Sequence, residues 1–426
     1  MQKSDFVEEL RWRGMLQDIM PGTQELLRNQ VVKGYIGFDP TADSLGVGNL
    51  VQIMTLLHFQ RAGHIPVALI GGATGMVGDP SGKSQERNLL DEGTLRHNQS
   101  CQLKQLEKFL DFSRGVNSAQ LVNNYDWFKG ISFLDFIRDI GKHLTVNYML
   151  AKDSVKQRLE TGMSFTEFSY QLVQGYDFYY LWKHHGVQLQ MGGSDQWGNI
   201  VAGTELIRRK DAGEAFALTT PLIKKADGTK FGKTESGNVW LDAQKTSPYK
   251  FYQFWLNSAD TDAVNYIRIF SLRSREDLES VINKHQLDPG KRLLQRELAS
   301  EITEMVHSSA DLKQAQEASE ILFGKASFEM MNALDATMLD EIFEGVPSGV
   351  IAQSEFNSGI SASDILVKSG FLSSNGEAKR ALQEGSISIN KVKIDSSKIL
   401  QASDILACGK IILQRGKKSF FLLNVN

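Results

Sequence analysis

The chain has 426 residues, enough for two or three domains of about 100–200 residues each. A 41% hydrophobic and 23% charged composition excludes a disordered chain, no apolar run approaches the ~18 residues of a membrane span, and two cysteines, Cys101 and Cys408, cannot build a disulfide framework or a four-cysteine zinc site. The formal net charge of -3 gives no sign of a nucleic-acid partner. The opening MQKSDFVEELRWRG is charged and lacks the apolar centre of a signal peptide, so a cytoplasmic, reducing home is expected.

In chain order, Phe6 to Met15 has the spacing of an amphipathic helix, and a second short helix follows before residue 30. VVKGYIGFDP (31–40) is β-rich and broken by Gly37 and Pro40, which predicts a buried strand entering a loop. NLVQIMTLLHFQRAG (49–63) is helical in period and ends at Gly63. PVALIGGATG (66–75) is a second apolar strand running into glycines. Strand, Gly-rich turn, helix and strand in this order open a doubly wound, Rossmann-like α/β fold with a parallel sheet. The pattern continues to about residue 248, with VQLQMGG (187–193) as a later core strand. Residues 249–344 carry helical periodicity, GVPSGVIAQSEFNSG (345–359) reads as a linker, and 360–426 mixes short helices with β-rich runs, as a small α+β module would.

Five segments carry polar residues that invite chemistry. GDPSGKS (78–84) places three residues between Gly78 and Gly82 where a phosphate loop needs four, so it is not one. Lys83 and Arg87, four apart, share a helical face that is either an anion contact or a solvated basic surface. In GFDPTADSLGVGN (37–49), Gly37 permits close approach of a ligand, and Asp39 and Thr41 place an acceptor and a hydroxyl at the strand end. Ser44 or Asp43 is expected to cap the next helix, whose N-terminus would then face an anion; an ordinary strand-to-helix turn is the other reading. SFTEFSYQLVQGYDF (164–178) starts a helix with the Ser164/Glu167 capping box and aligns Tyr170, Gln174 and Asp177 on one face. GGSDQWGN (192–199) puts Asp195 and Gln196 at the carboxyl end of a strand, where open α/β sheets bind ligands. In KADGTKFGKTESG (225–237), Lys230, Lys233 and Thr234 lie among three glycines, a mobile basic loop suited to a polyphosphate or simply solvated.

Taken together, GFDPTADSL, GGATGMVGDPSG, NNYDWF, SFTEFSYQLVQGYDF, GGSDQWGN and ADGTKFGKTESG resemble, in order and spacing, the bacterial tyrosyl-tRNA synthetases, a class I aminoacyl-tRNA synthetase family. The resemblance covers essentially the whole chain. It implies that tyrosine and ATP give tyrosyl-adenylate and pyrophosphate, and that the tyrosyl group then passes to the terminal ribose of tRNA(Tyr). Mg²⁺ is expected with ATP and no protein metal site is expected. Tyr35 and Asp177 would bond the substrate phenol; Tyr170, Asp79 and Gln174 would hold its ammonium group. Gln196, with Asp39 and Asp195, would touch substrate, ribose or adenylate, and Gly37, Gly48 and Gly193 would line the ATP site. Lys83, Arg87, Lys230, Lys233 and Thr234 would engage the departing pyrophosphate, with Thr41 and Asn49 beside them. The resemblance also implies a homodimer with NNYDWF near its interface, a helical anticodon-binding domain at 249–344, and an S4-like RNA-binding domain at 360–426.

One position departs from the family. SLGVGN places Gly46 where the signature histidine belongs, while Asn49 in the last position is an accepted variant. Slow adenylate formation is the expectation, and an RNA-binding paralogue with impaired adenylation is the alternative. A dehydrogenase would need G-x-G-x-x-G after the first strand, which is missing. A tryptophan-specific relative would not pair Tyr35 with Asp177.

Charge is unevenly spread. Residues 360–426 hold ten Lys/Arg and five Asp/Glu, which leaves 37 basic and 45 acidic residues for the rest. Lys391, Lys393, Arg415, Lys417 and Lys418 are the candidates for phosphate contact.

Overall fold

The computed structural model describes residues 5–79, 81, 90–113, 115–152, 155–156, 159, 162–234, 237–323, 327–416 and 419–426. Lys83, Arg87, Lys417 and Lys418 lie outside the described residues. The chain divides into two compact units, Met1–Thr246 with Trp255–Val306, and Ser247–Phe254 with His307–Asn426.

In the first unit, β1 (Lys33–Phe38), β2 (Ile65–Ile70), β3 (Gln120–Asn123), β4 (Val187–Gly193) and β5 (Phe216–Thr220) form one sheet in the order β3-β2-β1-β4-β5. Every pairing is parallel. A parallel sheet covered on both faces needs continuous apolar strands, and all but the first residue of β2 are buried. The chain builds outward from β1 through β2 to β3, then returns to the other side of β1 to lay down β4 and β5. Strand order therefore reverses between β1 and β4, and a crevice forms outside their carboxyl ends.

The helices follow local signals. α1 (Phe6–Arg13) begins where Asp5 accepts the backbone N–H groups of Val7 and Glu8, and ends at Gly14 with φ 71°. α2 (Leu50–Arg61) follows Asn49. Neither Ser44 nor Asp43 caps it, contrary to expectation. Both are engaged elsewhere, Asp43 with Lys245 at 2.7 Å and Ser44 with Gln105 at 2.9 Å. α3 (Phe165–Tyr180) has both halves of the expected capping box. It packs on α4 (Trp197–Asp211) at Gly203, where a Cβ would lie 2.8 Å from the Phe178 side chain. Glycine thus lets α3 and α4 pack closely. α5 (Asp260–Phe270) completes the elements needed for the site. Beyond β5, β6 (Lys233–Thr234) and β7 (Gly237–Asn238) make a small antiparallel ladder.

The second unit holds a mixed sheet of β8 (Ser348–Ile351), β9 (Ile387–Ile389), β10 (Val392–Lys393), β11 (Lys410–Arg415) and β12 (Ser419–Val425), ordered β10-β9-β11-β12-β8. The β12/β8 pairing is parallel and the others are antiparallel. The stretch 345–359, read as a linker, instead supplies β8 and buries Ile351 and Phe356 in this unit's core. Its glycines and serines obscured the two apolar side chains that hold it down. Among the described residues, no helix is long and apolar enough to cross a membrane.

Candidate active site

A cleft of about 540 Å³ opens at the switch point of the parallel sheet. Tyr35, Gly37, Asp39, Thr41, Gly48, Asn49, Asp79, Tyr170, Gln174, Asp177, Gly193, Asp195, Gln196 and Lys230 all line it. Gly46, Lys233 and Thr234 are not among the lining residues.

The floor is set by β1 and α3. Tyr35 is 1% exposed, packs its ring on Phe178 at 5.5 Å, and its hydroxyl has no hydrogen-bond partner among the described residues. Asp177 is held between two donors: Trp127 Nε1 donates to Oδ1 at 2.9 Å and Asn124 Nδ2 donates to Oδ2 at 3.0 Å. Burial raises the Asp177 carboxyl to about 8, against the pull of these two donors, and the Asp39 charge adds to the rise. Burial, and then the Asp177 charge, pushes the Tyr35 hydroxyl well above its ordinary value. An unpartnered buried hydroxyl next to a clamped carboxylate leaves a donor and an acceptor for a small hydroxyl group.

Halfway up, acidic groups collect. Tyr170 Oη donates to Asp39 Oδ2 at 2.9 Å, and Thr74 Oγ1 donates to Asp39 Oδ1 at 2.7 Å. Gln196 Nε2 donates to Asp79 Oδ2 at 2.6 Å, and the Ser81 N–H donates to Asp79 Oδ1 at 3.0 Å. The Gln174 side-chain oxygen is buried without a partner among the described residues. Burial, then the Asp39 charge, raises the Tyr170 hydroxyl; burial, then the Asp79 charge, raises the Asp195 carboxyl. Such a ring of carboxylates and acceptors suits a cation with N–H donors, an ammonium group above all.

At the mouth the glycine-rich turn and the lysine loop meet. The Gly46 N–H donates to Asn49 Oδ1 at 3.0 Å. The Val47 N–H donates to the Val239 carbonyl at 2.8 Å, and the Val239 N–H donates to the Gly232 carbonyl at 3.0 Å. Lys230, Lys233 and Thr234 are exposed. The N–H groups of Leu45, Gly46, Val47, Asn49 and Leu50 are thus all engaged within the protein, and the groups left for an anion at the mouth are the exposed lysines.

Several contributors were not foreseen. Asn124 and Trp127 lie in NNYDWF, which had been tied only to a subunit interface; both side chains turn inward to Asp177, 53 and 50 residues away in sequence. No spacing rule links them. The useful clue was the demand of a buried carboxylate for donors. Thr74 and Asn199 hold Asp39 and Asp79 in the same way. Gln52 and Gln190 line the cleft with buried oxygens that have no partner among the described residues.

In the second unit, Lys391 sits at φ 66° in the β9–β10 turn, its ammonium 4.5 Å from the centre of the Phe420 ring. Lys393 is exposed. Arg415 is ion-paired with Glu377 at 2.7 Å, so its charge is partly engaged within the unit.

Comparison with known proteins finds two families along the chain. The family "tRNA synthetases class I (W and Y)" matches residues 27–324, and the family "Tyrosine–tRNA ligase SYY-like C-terminal domain" matches residues 338–423. A tyrosine–tRNA ligase of Cytophaga hutchinsonii is 60% identical over 425 residues, covering 99% of this chain and 100% of that one. One of Bacteroides thetaiotaomicron is 58% identical over 426 residues, covering 98% and 99%. Among solved structures, a C-terminally truncated mitochondrial tyrosyl-tRNA synthetase of Aspergillus nidulans superposes with a TM-score of 0.68 at 30% identity, covering 76% of this chain and 95% of that one.

Proposed function

Because the chain belongs to the tyrosine–tRNA ligases, a family of class I tRNA synthetases, we propose that its cleft activates L-tyrosine with ATP and passes the tyrosyl group to the terminal ribose of tRNA(Tyr). The observation that carries the tyrosine reading is the floor of the cleft, where the unpartnered Tyr35 hydroxyl stands beside Asp177, clamped by Asn124 and Trp127. The substrate phenol donates to Asp177 and accepts from Tyr35. Its ammonium is held by Tyr170, Asp79 and Gln174, and its carboxylate is left facing the mouth.

There, a carboxylate oxygen attacks the α-phosphorus of ATP, the new P–O bond forms, and the bond to the β-phosphate bridge breaks to release pyrophosphate. No protein nucleophile is required; positioning and charge supply the rate. Asp39, Asp195 and Gln196, with Gly37, Gly48 and Gly193, bind the adenylate end. Lys83, Arg87, Lys230, Lys233 and Thr234 meet the charge that moves onto pyrophosphate, beside Thr41 and Asn49. In the second step a ribose hydroxyl attacks the tyrosyl carbonyl and AMP leaves. Among the described residues no group of three or more His, Cys, Asp or Glu side chains is placed to hold a metal. Magnesium would enter with ATP as the Mg·ATP substrate.

Further parts of the reading rest on their own observations. Exposed Phe133, Leu134 and Ile137, at 65%, 77% and 39%, form an apolar face on the helix Phe133–Asp139, which supports a homodimer. Lys391, Lys393, Arg415, Lys417 and Lys418 give an S4-like module at 360–426 its RNA contacts, and the helices of 249–344 meet the anticodon arm. The protein works in the cytoplasm. Gly46 removes one donor to the ATP phosphates and slows activation.

Tyrosine-dependent exchange of pyrophosphate into ATP tests the whole reading. Exchange with tyrosine and none with tryptophan or phenylalanine is expected. No exchange, even after Gly46→His, would make the chain an RNA-binding paralogue instead.

A further inference from the structure

Residues 224–238 contain one large apolar side chain, Phe231, among lysines, glycines and small polar residues. Three glycines of the stretch, Gly228, Gly232 and Gly237, have φ of 82°, 80° and 112°, and Ala226 to Lys230 are exposed. A segment of this composition has much backbone freedom to lose and little buried surface to hold it.

Phe231 is the exception. Its ring centre lies 4.9 Å from that of Tyr266, 5.5 Å from Phe270 with planes 19° apart, and 5.8 Å from Trp255. Phe270 and Trp255 are fully buried and Tyr266 is 3% exposed, so the socket itself is rigid core. Near the other end of α5, Asp262 Oδ1 accepts the Ala226 N–H at 2.8 Å. One helix therefore grips the loop at two points five residues apart. Immediately after Phe231, Gly232 lies so close to the turn 45–49 that a Cβ would come within 2.7 Å of Val47 Cγ1. Lys230 and Lys233 are thus fixed in place by Phe231 on one side and Gly232 on the other, with their own side chains free to reach phosphate.

We propose that Phe231, seated among Trp255, Tyr266 and Phe270, is the positioning residue of the lysine loop, with Asp262 as its second anchor. The inference rests on the reading of this cleft as the site of tyrosine activation. Lysine charge lowers the barrier only where the transition-state charge develops, so a loop released from its socket loses rate without losing the tyrosine pocket.

The test measures single-turnover tyrosyl-adenylate formation, the tyrosine Kd and the melting temperature in the full chain. Phe231→Ala is expected to lower the rate constant at saturating ATP about 10–100-fold, with the tyrosine Kd and melting temperature unchanged, and Phe231→Met to restore most of the loss. Asp262→Ala, which disturbs no aromatic packing, is expected to lower the rate as well, and the double variant to fall short of the product of the two effects. A wild-type rate in either alanine variant overturns the proposal. So does a parallel loss of tyrosine affinity and melting temperature in Phe231→Ala, which would mark it as ordinary core. Lys233→Ala separates the two levels: if it too leaves the rate unchanged, the lysine-loop reading fails, whereas a slowed Lys233→Ala beside an unaltered Phe231→Ala removes the anchor alone.

Discussion

Asp177 concentrates the chemistry of the pocket in one side chain. Its folded-state pKa of about 8 lies far above the ordinary 3.8 because burial outweighs the hydrogen bonds from Asn124 and Trp127. Between those two values the folded chain keeps a proton that the unfolded chain gives up. The stability contributed by this proton is complete below about pH 4, falls as the pH rises toward 8, and is fully lost above that. Urea midpoints at acid, neutral and alkaline pH should therefore decline across this range in the wild type, and the decline should be smaller in Asp177→Asn, which has no proton to lose. Equal slopes in both proteins would place the raised pKa elsewhere. The stripe of Tyr170, Gln174 and Asp177 was legible from helical spacing, since position on one helix face is a local property. The donors that clamp Asp177 were not, because Asn124 and Trp127 lie 53 and 50 residues away from it in sequence.

Local elements were legible wherever a backbone rule decides them. The Ser164/Glu167 box starts α3 as expected because both halves of the cap lie within one turn. The turn before α2 was harder to read, because its residues answer to distant partners: Asp43 to Lys245 and Ser44 to Gln105. That turn also carries the departure at Gly46. The backbone there is already fixed without a side chain, by the Asn49 cap on the Gly46 N–H and by the strap from Val239 to Leu241. A Cβ at Gly46 would lie 3.4 Å from the Val239 carbonyl and 3.9 Å from Asn49 Oδ1, and its φ is outside the left-handed region. The backbone at Gly46 therefore accepts a side-chain Cβ at ordinary contact distance. Restoring one donor to the developing phosphate charge should raise the rate of adenylate formation by about 10²–10³. Gly46→His with an unaltered tyrosine Kd and a faster single-turnover rate is the expected outcome; an unchanged rate would mean that another group already does this work.

At the scale of the molecule, net charge hid the division of labour and sequence composition blurred its boundary. The overall -3 conceals a basic C-terminal stretch of ten Lys/Arg and five Asp/Glu, which becomes visible only when the chain is divided. The parallel sheet was legible because a doubly wound order repeats apolar runs at regular intervals; the edge of the last module was not, because β8 joins its sheet from within the stretch read as a linker. The difference decides where to cut. Deleting 360–426 would leave Ile351 and Phe356 without the core they pack into, and the remnant should aggregate. Deleting 346–426 removes β8 along with the rest of the sheet and takes nothing from the unit that holds the cleft. The shorter protein should keep tyrosine-dependent pyrophosphate exchange and lose most of its tRNA affinity. The full chain should bind tRNA with an affinity that falls steeply between about 50 and 200 mM salt, as expected where lysines and arginines displace counterions from phosphate. Filter binding across that range, with exchange measured on the same preparations, separates the two outcomes. Retained, salt-sensitive tRNA binding after the deletion would move the RNA contacts to the first 345 residues, where acidic side chains outnumber basic ones.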